Sequence, residues 1–186
     1  MIVEKGTYET AGGTRIEAGT VSTDETFADV GFTQEFTAPP VVLTQAQTYN
    51  GGDPIVTRQR DVSAAGTQVR VQEEEARGRH LAETIGYIAV AAGSTVIDGT
   101  EFELGRTADT VTDSWHGIGF HRNHASPRFF ADMQTFDGSD SAGLRYRNLS
   151  NTDVEVKVEE ERSADTETDH TTEVVGYFVL GSEGSL

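Results

Sequence analysis

The chain has 186 residues, enough for one large domain or two small ones, and carries 31 Asp and Glu against 14 Lys and Arg, a formal net charge of −17. Phosphate recognition needs a basic surface, so this balance excludes nucleic acid as a partner. There is no cysteine, which excludes disulfides and thiolate metal sites. No segment approaches the roughly 20 apolar residues of a membrane-crossing helix, so membrane insertion is not expected. The only lysines are Lys5 and Lys157. Acidic excess, scarce lysine and abundant threonine describe a protein kept soluble in concentrated salt, where screening relieves self-repulsion. The opening "MIVEKGTYETAGGT" lacks the basic region and apolar core of a secretory signal, so export by that route is not expected.

In chain order, Val-, Ile- and Tyr-rich runs bounded by Gly, Pro, Asp and Asn predict strands near 15–22, 28–36, 40–49, 55–62, 67–74 and 83–91. The stretch "AAGSTVIDG" then reads as a small-residue linker, after which the chain repeats itself. "GTRIEAGT" from Gly13 returns as "GTEFELGR" from Gly99, and "FADVGFTQEF" from Phe27 as "WHGIGFHRNH" from Trp115. "QTYNGGD" from Gln47 returns as "QTFDGSD" from Gln134, and "RQRDV" from Arg58 as "RYRNL" from Arg145. Both copies end on alternating valines, three glutamates, a polar loop, a histidine, a glutamate and Gly-Tyr, at Gly86-Tyr87 and Gly176-Tyr177. The offset drifts only between 86 and 90 positions. The expected architecture is all-β, with two tandem six-stranded antiparallel β-sandwiches over 1–93 and 94–186.

The first copy resembles the H-type lectin domain over Gly13–Ala92: "FADVGFTQEFTAPPVVLTQAQT", then "RQRDVSAAGTQVRV", then "ETIGYIAV". The second copy, with "HASPRFFADMQT", keeps one of the two prolines, Pro127. The resemblance implies a six-stranded sandwich that assembles as a homotrimer and binds sugar at subunit boundaries. The arginine of its fourth strand is matched by Arg58 and Arg145. The family's aromatic–histidine pair after the fifth strand is replaced by Glu74-Glu75 and Glu160-Glu161, which cannot stack on a sugar.

Arg58 and Arg60 are two apart on a strand and share a face, as do Arg145 and Arg147. If the "SAAG" hairpin has an even loop, Val69, Val71 and Glu73 lie on that face too. A buried arginine there needs a carboxylate, with Glu73 or Glu75 the expected salt-bridge partner; ligand binding or a subunit boundary is the alternative. Glu74, Glu75, Glu160 and Glu161 belong to the same candidate surface, and Tyr146 is the aromatic nearest to Arg145. The "EEE…H…E" pattern also suits a hard cation, Ca2+ or Mg2+, at Glu73, Glu75 and His80 and at Glu159, Glu161 and His170. Against it, the loops from glutamate to histidine differ in length between the copies. No other cofactor is indicated. His116, His121 and His124 read as surface or boundary residues, and Trp115, matched by Phe27, as core. The loops 49–54 and 136–141 are turn chemistry first and exposed tips second.

No nucleophile elbow, phosphate loop or cysteine nucleophile occurs, so an enzyme is not expected. The leading expectation is a virion surface component of a virus infecting a halophilic archaeon, a turret, fibre or decoration protein. It would be homotrimeric, bound to other virion proteins and in contact with host glycans. The second is a cellular carbohydrate-binding lectin of a halophile, extracellular or on the cell surface.

Overall fold

The computed structural model describes residues 3–76, 78–97 and 99–181. They form 14 strands in four antiparallel sheets, with no helix among the described residues. The first seven strands are β1 (Gly6–Glu9), β2 (Arg15–Thr23), β3 (Ala28–Gly31), β4 (Val41–Ala46), β5 (Ile55–Arg60), β6 (Gly66–Glu73) and β7 (Glu83–Val90). They make a sheet of order β1-β2-β7-β4 facing one of order β3-β6-β5, here called lobe 1. The rest are β8 (Gly93–Ile97), β9 (Thr100–Arg106), β10 (His116–Gly119), β11 (Arg128–Met133), β12 (Ala142–Arg147), β13 (Asp153–Glu160) and β14 (Val175–Leu180). Their sheets, β11-β14-β9-β8 and β10-β13-β12, form lobe 2.

The all-β antiparallel expectation holds, with one edge strand more per lobe. The short β1 was not anticipated, and the expected linker contains β8, whose Gly93 lies opposite Leu104 of β9. The strand expected over 28–36 stops at Gly31. Beyond it, the Phe32 and Phe36 amides turn to the carbonyls of Ala65 and Ala64, bringing both rings into the core.

Alternation decides which side chains go inside. Val154, Val156 and Val158 of β13 are buried while Glu155, Lys157 and Glu159 face outward, and Val69 and Val71 of β6 fill the matching space in lobe 1. The large sheets differ because both of their faces are covered. On β7, Ile85 and Ala89 point into lobe 1, while Val90 joins Val41 on the outer face. On β14, Val175, Tyr177 and Val179 point into lobe 2, while Phe178 joins Phe102 and Leu104 on its outer face. These outer faces pack together as a third apolar cluster between the lobes. The runs "VVL" and "YFVL" are apolar at every position because both their faces are out of water.

Phe178 sits at the centre of this joint and is 2% exposed. Phe178→Ala is expected to cost about 3–5 kcal/mol in urea unfolding at fixed salt, the range for a truncated buried ring. A loss below about 1 kcal/mol would contradict a packed joint.

Candidate functional site

The hairpin from β5 to β6 pairs Arg58 with Arg70 and Arg60 with Gln68, so an odd number of residues, 61–67, separates the last pair. Asp61 adopts a left-handed conformation in this loop (φ 54°), as does Asn148 at the matching place in lobe 2 (φ 52°), a geometry Asp and Asn tolerate well. The odd loop corrects the expected facing. Val69, Val71 and Glu73 point into lobe 1, whereas Arg58 and Arg60 share the opposite face with Gln68, Arg70 and Gln72.

That face is where lobe 2 docks. Arg58 is 0% exposed and its Nη2 donates to Glu173 Oε1 at 2.8 Å, with the Glu173 side chain equally buried. The partner is therefore in the other lobe and is neither Glu73 nor Glu75. Arg58 Nη1 donates to Gln72 Oε1 at 3.2 Å and to the Asp140 carbonyl at 3.1 Å, and Gln72 Nε2 donates to the Ser139 carbonyl at 2.7 Å. Phe136, from the 134–141 loop, lies 4.6 Å from the Arg58 guanidinium and meets Phe27 edge-on at 5.3 Å. Burial pulls the Arg58 pKa below its ordinary value, against the pull of Glu173 and Asp132, and the group stays charged. Its Nε has no partner, so the ring face of Phe136 is the main compensation on that side.

A second set of contacts caps the edge of β4. Gln134 accepts from the Val42 amide at 3.0 Å and donates to the Val42 carbonyl at 2.8 Å. Asp132 accepts from the Thr44 amide at 3.0 Å and from the Thr44 hydroxyl at 2.7 Å. Side chains of one lobe thus satisfy the exposed backbone edge of the other, which closes it to further strand pairing. Burial pushes the Asp132 carboxyl up to about 7, although the Thr44 bonds act in the opposite direction.

Each lobe also contains a glutamate–histidine–glutamate knot. His80 bonds Glu73 (Nδ1, 2.9 Å) and Glu83 (Nε2, 3.0 Å), while His170 bonds Glu160 (2.6 Å) and Glu173 (3.0 Å). Each inner glutamate ties down the neighbouring loop. Glu83 accepts from the Asn50 and Gly51 amides and the Thr48 hydroxyl, and Glu173 from the Asp137 and Gly138 amides and the Thr135 hydroxyl. The imidazoles lie flat on Gly51 and Gly138, where a Cβ would come within 2.2 Å of the ring. Loops of unequal length therefore deliver the histidine to the same seat.

The expected cation sets are not assembled as such. The partners of the histidines are Glu73 with Glu83 and Glu160 with Glu173, so Glu75, Glu159 and Glu161 stand outside the knots. With both ring nitrogens donating to carboxylates, neither histidine offers a lone pair to a cation. Glu75, Asp140 and Glu160 do gather, with oxygens within 4.8 Å of one another, across the lobe boundary. Burial raises the Glu75 pKa, and Asp140 and Glu161 add to it. The Glu75 amide donates to the Glu161 carboxylate, and Glu74 is half-buried, its amide bonded to the Pro54 carbonyl.

Lobe 2 presents its own arginines to solvent. The Arg145 side chain is 67% exposed and pairs with Glu159, which also meets Lys157 at 3.3 Å. Arg147 pairs with Glu155 at 2.9 Å and lies 4.2 Å over the Trp115 ring. Trp115, 36% exposed, is thus not core; it is the floor of a cationic cup. Tyr146 is exposed and borders a groove of about 910 Å³ with Phe129, Phe130, Arg145, Gln45 and Gln47. His121 and His124 converge on the buried carboxylate of Glu103, at 3.0 and 3.1 Å. Sequence reading missed the roles of Phe136, Gln134 and Asp132, although "QTYNGGD" and "QTFDGSD" flagged the loop that holds Gln134 and Phe136.

The knots give a definite pH dependence. Burial lowers the pKa of His80 and His170, but their carboxylate hydrogen bonds outweigh it and the net shift is above 6.5. Their contribution is complete below 6.5 and is lost as pH rises through the folded value; Asp132 has the same sign over a lower window, its contribution complete below 3.8 and lost as pH rises to about 7. Glu83 is held down to about 2, first by the Thr48 hydroxyl, so its contribution is complete above 4.5 and is lost as pH falls toward 2. Unfolding midpoints at fixed molar salt should therefore peak at about pH 4.5 and fall as pH rises further. A midpoint that climbs steadily from pH 6.5 to 8.5 would contradict this.

No family model matches the chain, and no solved structure matches it. The chain is 32% identical over 184 residues to halomucin of Haloquadratum walsbyi. That similarity spans 96% of this chain and 2% of the relative's length. The match fits a haloarchaeal surface protein, in keeping with the salt-adapted composition.

Proposed function

We propose that the chain is a structural and adhesive module of a halophile's outer surface, built as two lobes locked into one body. The observation that carries this reading is the shape of the similarity: nearly the whole chain matches a small part of a much longer relative. A unit that recurs inside a longer protein has to hold its own shape, and the Arg58–Glu173 lock and the third apolar cluster do that here. The net charge of −17 suits constant contact with concentrated salt.

The similarity supports a cellular surface, the second of the two settings expected from sequence. The virion setting rests on composition and lectin resemblance, and the comparisons add nothing to it. A sugar site of the H-type lectin kind is the weaker part of the resemblance. In lobe 1 the matching arginine, Arg58, is spent on Glu173 and sealed from solvent. The positions expected to stack on a sugar hold Glu74, Glu75, Glu160 and Glu161. A homotrimer belongs to the same resemblance and is carried here only as part of it.

Antibody labelling of intact cells of the source organism, kept in native salt, tests the location. Signal on the cell surface or in the medium is the expected result, with purified virus particles unlabelled. Signal confined to the cytoplasm would overturn the proposal, and label concentrated on virions would reinstate the first setting.

A further inference from the structure

Four asparagines occur in the chain, at 50, 123, 148 and 151. Only Asn148 is followed by a residue other than proline and then by a hydroxyl residue, as Asn148-Leu149-Ser150. Asn50 is followed by Gly51 and Gly52, Asn123 by His124 and Ala125, and Asn151 by Thr152 and Asp153. The triplet at 148–150 is the acceptor pattern for an N-linked glycan, and it carries meaning only on a surface loop of a protein outside the cell.

The structure supplies the surface loop. Asn148 opens the turn from β12 to β13 and is exposed, while Leu149 packs against the core of lobe 2 and anchors the turn. Ser150 closes it, its Oγ accepting from the Thr152 and Asp153 amides, each at 3.1 Å. The Asn148 Nδ2 donates to the Glu155 carboxylate, so its side chain lies on the outward face of β13, away from the core. Opposite Glu155 and Asp153 stand Gly117 and Gly119 of β10, where even a Cβ would meet open space. A bulky group on Asn148 therefore meets no wall on this side.

The two lobes separate turn chemistry from acceptor chemistry. Asp61-Val62-Ser63 takes the same place in lobe 1, with φ 54° at Asp61 against 52° at Asn148, and the Ser63 Oγ likewise bonds inside its turn. The left-handed turn thus accepts either residue. A carboxylate has no nitrogen to carry a sugar, so lobe 1 has the turn without the acceptor. The outer face beside Asp61 is where lobe 2 docks, whereas the one beside Asn148 presents Arg145 and Arg147 to solvent.

We propose that Asn148 carries an N-linked glycan, attached by a separate transferase from a glycosyl phosphate donor. The amide nitrogen forms a bond to the anomeric carbon of the sugar and loses one proton. The bond from that carbon to the phosphate oxygen breaks, and the phosphate leaves with the electron pair. The site rests on the outer-surface reading above, because this modification belongs to exported chains.

The test uses the full chain made in the source organism, recovered from the cell surface or medium in native salt and mapped by mass spectrometry. Trypsin releases Asn148–Lys157, which holds both Asn148 and Asn151. The wild-type peptide should carry added sugar mass, and fragmentation should place it on Asn148 rather than Asn151. Asn148→Asp should lose that mass and keep its circular dichroism spectrum, since lobe 1 makes the same turn with Asp61. Ser150→Thr retains the hydroxyl and should retain the glycan. A bare Asn148 in chain recovered from the surface would overturn the inference and leave the surface reading intact. So would added mass on this peptide that survives Asn148→Asp. Chain absent from both surface and medium would overturn the surface reading and this site with it.

Discussion

A guanidinium removed from water is stable only if carboxylate, hydrogen-bond acceptors and polarisable surface replace its hydration. Arg58 obtains the carboxylate from Glu173, acceptors from Gln72 and the Asp140 carbonyl, and surface from Phe136. Three of these four come from the other lobe, so Arg58 ties the placement of lobe 2 to its own solvation. Glu173 in turn is fixed by His170, Thr135 and the backbone of 137–138, which is why one ion pair also orders a loop. The apolar cluster of Val41, Val90, Phe102, Leu104 and Phe178 supplies adhesion between the lobes, and the polar contacts supply its geometry.

The same parts behave differently in the two lobes because the arginine–aromatic contact is made on one side only. Phe27 is covered by Phe136, whereas Trp115 is left facing solvent; Gln134 is buried against Val42, whereas Gln47 is exposed. Positions that repeat in sequence therefore differ in environment, and the difference marks which surfaces the fold has used. Salt enters here as well. Screening lowers the self-repulsion of a chain of net charge −17. Arg145, Arg147 and Lys157 around Trp115 make a local cationic patch on this acidic chain.

Much of the fold was legible. The alternation in "VEVKVEE" placed Val154, Val156 and Val158 inside, and the repeat located corresponding strands in the two halves. What failed depended on quantities that alternation does not carry. The face of Arg58 turned on the parity of one hairpin loop, and Asp61 in the left-handed region completes an odd one. The cation sets joined Glu75 to His80 and both Glu159 and Glu161 to His170, although the ladder ends at Glu73 and Glu160 and the inner glutamates are Glu83 and Glu173. The repeated i, i+3 spacing of His80 with Glu83 and of His170 with Glu173 held that signal. Trp115 read as core because Phe27 aligns with it, but neither ring lies inside its sandwich. No feature of either copy alone names Glu173 as the partner of Arg58, since that pairing exists only once the lobes are packed.

The central claim, that one buried ion pair locks the lobes, is tested most directly by a double-mutant cycle of Arg58→Met and Glu173→Gln in urea unfolding at fixed molar salt. Each single change is expected to cost about 3–5 kcal/mol, because each strands a buried charge or its partners. The double variant should recover on the order of 2 kcal/mol of that sum, as contacting groups do. Losses that simply add, within about 0.5 kcal/mol, would mean the two groups act independently and the lock lies elsewhere.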